Sequence, residues 1–180
     1  MQFYKSDLFQ YISGSISDTD LLKQLTELGL EVDQSKKEKN DLLVKLDLTP
    51  NRGDCFSLIG IARDVCAVNN LKLQLPKFKK QQQNLDSKKT VSIDKKACSN
   101  YLGQIIKLNN KGITPKYIQK TLKAADIGQV NPIVDITNYV MLHTGQPLHA
   151  FDNQKIGKKI HVKFPSKRTK LKLLDGASHE

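Results

Sequence analysis

Residues 130–152 read VNPIVDITNYVMLHTGQPLHAFD, and this stretch decides the fold of the second half of the chain. Residues 131–135 lead into a helical pattern that runs from Ile136 to about His143. The Gly-Gln-Pro triplet at 145–147 must then turn the chain, because glycine and proline favour turns. The stretch therefore predicts a short helix followed directly by a turn.

The rest of the second half predicts one more helix and two strands before this stretch, and two strands after it. The helix starts at Thr114-Pro115, with proline at the first helical position, and Gly128 stops it. Asp175-Gly176 is a hairpin signal with no return strand after it, so we expect the second half to be cut before its end. The four apolar stretches typical of strands, the last two forming a hairpin, are residues 90–93, 101–108, 159–164 and 170–174.

The beginning of the chain predicts a helix, a connector and a strand. Ser17, with Asp20 three residues later, is a capping signal, and leucines at helical spacing follow until Gly29. Residues 34–41 read QSKKEKND, which is polar without any period and indicates an exposed connector. Residues 42–48 alternate apolar and polar side chains as a half-buried strand does.

A further helix is predicted after the turn residues Thr-Pro-Asn-Arg-Gly at 49–53. Asp54 can cap this helix, and Asn69-Asn70 closes it. Arg52-Gly53-Asp54 matches the tripeptide of cell-adhesion ligands, but the segment fits a turn and a helix cap better. One apolar stripe on the helix is formed by Leu58, Ile61, Ala62, Val65 and Val68.

The pattern as a whole predicts an α+β fold in two parts. Residues 76–90 contain a proline, a glutamine run and many lysines, which is typical of a linker. Residues 1–75 then form a small helical module with a short strand, in which 34–41 is the connector. Residues 91–180 form the start of a mixed α/β module.

Composition favours a polyanion partner. The chain has 180 residues, of which 38% are hydrophobic, and a formal net charge of +11. A charge of this sign favours RNA, DNA or anionic lipid, although nearly all the basic residues are lysines, which read base edges poorly.

No apolar stretch is long enough to span a membrane, and no secretion signal is evident. Three scattered cysteines favour a reducing, cytoplasmic compartment.

Two stretches closely resemble the beta subunit of bacterial-type phenylalanyl-tRNA synthetase. They are residues 48–64, LTPNRGDCFSLIGIARD, and residues 130–152 quoted above. The opening LLKQLTELGLEVD resembles the same subunit's N-terminus. The resemblance implies a small helical N-terminal module followed by part of an editing module, which binds tRNA. An oligonucleotide-binding-fold domain often inserted after the GLEVD-like stretch is missing, and we expect the chain to end within the editing module.

The resemblance also implies an activity and its residues. It places His149 at the editing site that hydrolyses mischarged Tyr-tRNA(Phe), with Thr137 and Asn138 lining the pocket. Imidazole can orient a water or bind the terminal ribose, and a hydroxyl and an amide can face the same pocket. The implied partners are the alpha subunit, in an α2β2 enzyme, and tRNA(Phe). ATP and magnesium are expected for the complete enzyme, with no cofactor on this chain.

Other readings of the same residues stay open. His149 can be a packing residue, and residues 135–138 can be only a helix cap. The chain as a whole can be a free-standing RNA-binding or trans-editing module, or a non-catalytic remnant kept for protein association. Metal and DNA binding have little support, because HExxH and CxxC patterns, a glycine-rich phosphate loop and a recognition helix are not evident.

Overall fold

The computed structural model describes residues 1–78, 90–110, 112–172 and 177–179. Within these residues the fold is α+β, as predicted. The helices are α1 (Lys5–Leu8), α2 (Asp18–Glu27), α3 (Leu58–Asn69), α4 (Lys116–Ala124) and α5 (Pro132–Thr144). The strands are β1 (Gln2–Tyr4), β2 (Ile12–Ser13), β3 (Glu31–Glu38), β4 (Asp41–Asp47), β5 (Lys72–Leu73), β6 (Thr90–Ile93), β7 (Lys159–Val162), β8 (Leu171–Lys172) and β9 (Ser178–His179).

Contacts group the chain into two compact units. The first unit combines Met1–Lys80 with Asn109–Ala150, and the second combines Gln81–Leu108 with Phe151–Glu180. This grouping differs from the consecutive modules predicted above, because α4 and α5 pack with the N-terminal residues. The residues of the predicted helix and turn at 130–147 therefore lie in the first unit.

The first unit contains a three-stranded sheet in the order β1-β4-β3, with antiparallel pairs. The central strand β4 points Leu42, Val44 and Leu46 into the core, which confirms the predicted strand. The predicted connector at 34–41 is wrong, because most of it belongs to β3 and its hairpin with β4. Strand β3 lies at the edge of the sheet and is held by backbone hydrogen bonds to β4. Because its side chains stay largely exposed, its sequence does not alternate apolar and polar residues as a half-buried strand does.

Helices α2 and α3 each begin with a serine cap. Ser17 caps α2 by accepting a hydrogen bond from the backbone N–H of Asp20, as predicted. For α3 the predicted cap is wrong, because Ser57 accepts from the N–H of Gly60 while Asp54 lies in a preceding 3-10 turn. The left-handed Asn70 closes α3, as predicted.

The core of the first unit joins the sheet to α1, α2 and α3. α4 adds Ile118, Leu122 and Ala124, which are buried. Pro115 is the N-cap of α4 rather than its first residue, and the helix ends before the predicted stop at Gly128. The largest fully buried apolar side chains are Phe3, Leu8, Leu21, Leu25, Leu30, Leu58, Ile61, Leu122, Val44 and Val65.

The second unit contains two short strand pairs. β6 is confirmed, and it pairs in parallel with β7. The predicted hairpin between 159–164 and 170–174 is wrong, since β8 pairs instead with β9, which supplies a return strand where none was expected. Residues 101–108 do not form the predicted strand, and Leu102 is 97% exposed. Residues 173–176, which include the Asp-Gly signal, lie outside the described residues.

Among the described residues, no helix has the length and the apolar character needed to cross a membrane.

Candidate functional site

Helix α5 is positioned by strong signals at both of its ends. The Asn131 side chain accepts hydrogen bonds from the backbone N–H groups of Ile133 and Val134, both at 3.1 Å. Pro132 follows as the first helical residue, so the helix begins four residues before the predicted pattern. Gly145 ends it in the left-handed conformation with φ at +75°, which glycine adopts at little cost.

The three predicted site residues lie on α5 and in the segment that follows it. Thr137 and Asn138 are consecutive and partly exposed, and His149 is exposed beyond the Gly145 turn. The Thr137 hydroxyl donates to the Val134 carbonyl at 2.7 Å, so its oxygen remains able to accept a hydrogen bond from a ligand. All three residues belong to the first unit and are accessible at its surface.

Apolar side chains are exposed beside these polar groups. Ile133 lies four residues before Thr137 and three before Ile136, so it is the neighbour of both on the surface of α5. Ile136 is 46% exposed, and Val130 and Leu148 at the two ends of the segment are also exposed. The surface that presents the Thr137 hydroxyl therefore combines polar and apolar contacts.

Behind this surface lies a buried polar cluster that the sequence analysis missed. We call it the α5 anchor, and its members are Asp7, Tyr11, Thr121, Tyr139 and His143. The Tyr11 hydroxyl lies 2.6 Å from His143 Nδ1, and the Tyr139 ring packs on the His143 ring with centroids 4.0 Å apart. The Thr121 hydroxyl donates to Asp7 at 2.9 Å. The anchor joins α1 to α4 through Asp7, and the segment after α1 to α5 through Tyr11, across more than a hundred residues of sequence.

Burial shifts the titration of the anchor. It lowers the pKa of His143 to about 4 and raises the pKa of Tyr11 to about 12, because a charged form loses its hydration. Burial also raises the pKa of Asp7, although the hydrogen bond from Thr121 opposes this. His143 is therefore neutral at physiological pH, and its Nε2 is buried without a hydrogen-bond partner among the described residues. His143 is a packing residue of α5 rather than a solvent-facing base.

A second carboxylate fixes the start of α5. Asp135 is 1% exposed, and it accepts hydrogen bonds from the Thr114 hydroxyl and from the backbone N–H of Val130 at 2.9 Å. Asp135 thereby ties the segments before α4 and α5 to the first turn of α5. Its role is structural, and the helix cap itself is Asn131.

The Arg52-Gly53-Asp54 tripeptide forms an ion-pair cluster. The Arg52 guanidinium makes two hydrogen bonds to Asp54, at 2.9 and 3.1 Å, one to Asp64 and one to the Leu28 carbonyl. The guanidinium lowers the pKa of Asp54 to about 2. The cluster joins the turn after β4 to α3 and to the end of α2, which agrees with the predicted structural role.

The same cluster contains the only described group of side chains with metal-ligand spacing, formed by Asp54, Cys55 and Asp64. A divalent ion does not fit there, because Arg52 Nη2 already contacts all three side chains. Burial also raises the pKa of the Cys55 thiol to about 12, which opposes the thiolate form that metals require.

Comparisons with known proteins agree with the resemblance in the sequence. The model of the B3/4 domain family matches residues 97–180. A phenylalanine–tRNA ligase beta subunit from Rhodopirellula baltica is 36% identical over 96% of this chain, which corresponds to 26% of that subunit. The beta subunit from Aliivibrio fischeri is 43% identical over 86% of this chain and 20% of its own length. The chain thus spans about a quarter or less of these relatives.

Among solved structures, an N-terminal fragment of the phenylalanyl-tRNA synthetase beta subunit from Pyrococcus horikoshii matches with a TM-score of 0.38 and 26% identity. The match covers 54% of this chain and 27% of that one. The sequence relationships establish the family: the chain is a homologue of the phenylalanine–tRNA ligase beta subunit and corresponds to part of it.

Proposed function

We propose that this chain functions as part of a cytoplasmic phenylalanine–tRNA ligase, in which it contacts tRNA(Phe) and carries part of an editing site. The observation that carries the proposal is sequence similarity to beta subunits along 96% of the chain. The formal charge of +11 supports an RNA partner, because phosphate neutralisation by lysine favours binding. The chain's protein partner is then the alpha subunit, in an α2β2 assembly.

Aminoacylation requires ATP and magnesium, which we assign to other parts of the complete enzyme. The one group of described side chains with metal-ligand spacing does not fit a magnesium ion, because Arg52 already pairs with both of its carboxylates. Mg²⁺ favours oxygen ligands in octahedral geometry, and the buried Cys55 thiol does not supply one. No step of the chemistry proposed here passes through either cofactor.

The reaction assigned to this segment is hydrolysis of the ester that joins tyrosine to tRNA(Phe). The exposed His149 imidazole would orient the attacking water or hydrogen-bond the terminal ribose. The accessible Thr137 hydroxyl and Asn138 amide would bind polar groups of the aminoacylated end. The α5 anchor contributes indirectly, since it holds the helix that presents these two side chains.

The first test replaces His149 by alanine in the full beta subunit assembled with its alpha subunit. We expect hydrolysis of Tyr-tRNA(Phe) to slow by about 100-fold, which is at the low end of what positioned acid–base groups contribute. Phenylalanine attachment should be unchanged, because His149 is assigned to editing alone. The matched control is His161→Ala, which removes another exposed imidazole from β7 in the second unit. Unchanged hydrolysis in the His149 variant would exclude it from the mechanism.

The mass of the protein in its source cells tests the assignment to a larger subunit. An antibody raised against residues 1–180 should detect a band much larger than 20.3 kDa. A band at 20.3 kDa would refute this assignment and favour a free-standing module, whose activity would then be measured directly as tRNA binding and deacylation.

A further inference from the structure

Helix α4 presents a cationic outer surface. Its nine residues, KYIQKTLKA, include three lysines and no acid. The exposed side chains of the helix are Lys116, Tyr117, Lys120 and Lys123, while Ile118 and Leu122 are buried on the opposite side. The lysines are four and three residues apart, so they form one row along the helix. The buried side packs α4 against the first unit, and Lys120 adds hydrogen bonds to Asp41 and Ser6, whereas no ion pair or side-chain hydrogen bond is described for Lys116 or Lys123.

The β3–β4 hairpin continues this cationic row. Lys120 Nζ lies 2.6 Å from the Asp41 carboxylate at the start of β4 and 4.3 Å from the centre of the Tyr4 ring. Lys36 forms an ion pair with Glu38 at 2.8 Å and lowers the pKa of that carboxyl, and the charge of Lys123 adds to the effect. Helix and hairpin therefore meet at these carboxylates.

We define the lysine face by the exposed cations on this surface. Five lysines share it, and the carboxylates that pair with them are Glu38 and Asp41, so these groups together keep a net positive charge. The Lys36 side chain is 72% exposed, which leaves its ammonium group in reach of a ligand. Lys37, the next residue of β3, points to the other side of the sheet, where it lies 4.0 Å from Asp18, and it is not part of the face. The members of the lysine face are Lys36, Lys39, Lys116, Lys120 and Lys123.

We propose that the lysine face binds the sugar–phosphate backbone of RNA without reading its sequence, and, given the function proposed above, that this RNA is tRNA. Lysine is a mobile point charge that suits phosphate oxygens, whereas base recognition favours the planar fork of arginine. The Tyr117 ring, three residues before Lys120 and 60% exposed, adds a surface on which a base can stack. The face thus offers charges in a row and an aromatic ring, which fits a nucleic-acid strand better than an acidic protein patch.

The test removes three charges of the face while sparing its structural lysine. The variant is Lys39→Gln/Lys116→Gln/Lys123→Gln, and it keeps Lys120 because that side chain holds Asp41 and Ser6. Binding of a tRNA(Phe) transcript to the 180-residue chain is measured by fluorescence anisotropy between 50 and 200 mM salt. We expect affinity at low salt to fall by about tenfold or more. The slope of log affinity against log salt should become shallower by about 2 to 3, since each lost phosphate contact removes about 0.9.

The matched control removes the same charge elsewhere on the first unit. The variant Lys23→Gln/Lys72→Gln/Lys77→Gln changes exposed lysines on α2, on β5 and after β5. We expect less than about a twofold loss of affinity for this control. Equal losses in the two triple variants would show that only the overall charge matters, and they would overturn the proposal. Both variants must keep the circular dichroism spectrum and the melting temperature of the parent chain.

Two further outcomes are decisive. A parent chain that does not bind the transcript at low salt would refute the lysine face as an RNA surface. Weakened association with the alpha subunit, with tRNA affinity unchanged, would assign the face to protein contact and would equally refute it.

The outcome is independent of the editing test: a His149 variant that edits normally would refute the proposed site while RNA binding through the lysine face could still hold. Conversely, the His149 variant could lose editing while the triple lysine variant binds tRNA as well as the parent chain. That pair of results would refute only the lysine face.

Discussion

The imidazole of His143 is placed where protonation is costly. It is 3% exposed, it lies against two tyrosine rings, and burial lowers its pKa to about 4. In the unfolded chain the same group has a pKa near 6.5, so the unfolded state takes up a proton first as the pH falls. The folded state therefore loses stability between about pH 6.5 and pH 4, and this loss is absent above pH 7.

We predict that this titration is measurable in the free energy of unfolding. Between pH 7 and pH 5 the parent chain should lose about 2 kcal/mol more than the His143→Gln variant, which cannot titrate. The glutamine side-chain oxygen can still accept a hydrogen bond from the Tyr11 hydroxyl, so the variant replaces the 2.6 Å contact of His143. Urea denaturation at the two pH values is the measurement. Equal losses in both proteins would contradict the burial of a neutral imidazole.

At the scale of elements, Gly60 shows how closely α3 approaches the turn before it. A Cβ atom at Gly60 would overlap the backbone carbonyl oxygen of Asp54 and lie 2.7 Å from its carbonyl carbon. The Arg52 cluster holds that turn against α3, so the backbone has little room to move. Only a residue without a side chain permits this contact.

We therefore predict that Gly60→Ala destabilises the first unit by about 3 kcal/mol or more, because an overpacked backbone contact must be relieved by moving the turn. The matched control is Gly128→Ala, where an added Cβ has nothing within 4 Å and the free energy of unfolding should change by less than about 1 kcal/mol. Urea denaturation followed by circular dichroism measures both. A Gly60 variant as stable as the control would show that the turn is free to shift.

For the whole molecule, the α5 anchor makes the first unit depend on two separated parts of the chain. Asp7 is paired with Thr121, and Tyr11 with His143, so residues 1–80 alone lose both hydrogen bonds. They also lose the contacts of the buried Ile118 and Leu122 side chains. A hydrogen bond contributes about 0.5 to 1.5 kcal/mol net, and a buried leucine or isoleucine side chain about 1.5 to 3 kcal/mol. The first unit should consequently be much less stable without residues 109–150.

Two proteins test this dependence. One contains residues 1–150 with a Gly/Ser linker of equal length in place of 81–108, and the other contains residues 1–80 alone. We expect the first to unfold cooperatively and the second to be less stable by at least about 3 kcal/mol, because both anchor pairs and the burial of Ile118 and Leu122 are lost. Urea denaturation followed by circular dichroism compares them. A fragment of residues 1–80 with undiminished stability would favour the consecutive modules predicted from the sequence.

Local signals account for the elements that sequence reasoning predicted well. Ser17 with Asp20, the alternation in β4 and the left-handed Asn70 each act through neighbours in the chain. The resemblance of residues 130–152 likewise depends on contiguous residues, and the comparisons support the family it suggested. Local chemistry also explains α5, although the Asn131 cap starts it earlier than the periodicity indicated.

The amino-acid sequence by itself thus determined the α+β class, most helix positions and the family, because short-range patterns encode them; His149, Thr137 and Asn138 stay predictions. Only the tertiary structure decided that polar β3 is a strand, that β7 pairs with β6, and that His143 is buried. Strand β3 pairs with its neighbour β4, but as an edge strand it needs no apolar pattern. The other two features depend on partners far away in the chain, since β7 pairs with β6 and the buried imidazole contacts Tyr11, 132 residues earlier. Contacts at such separations leave no local signal in the residues that make them.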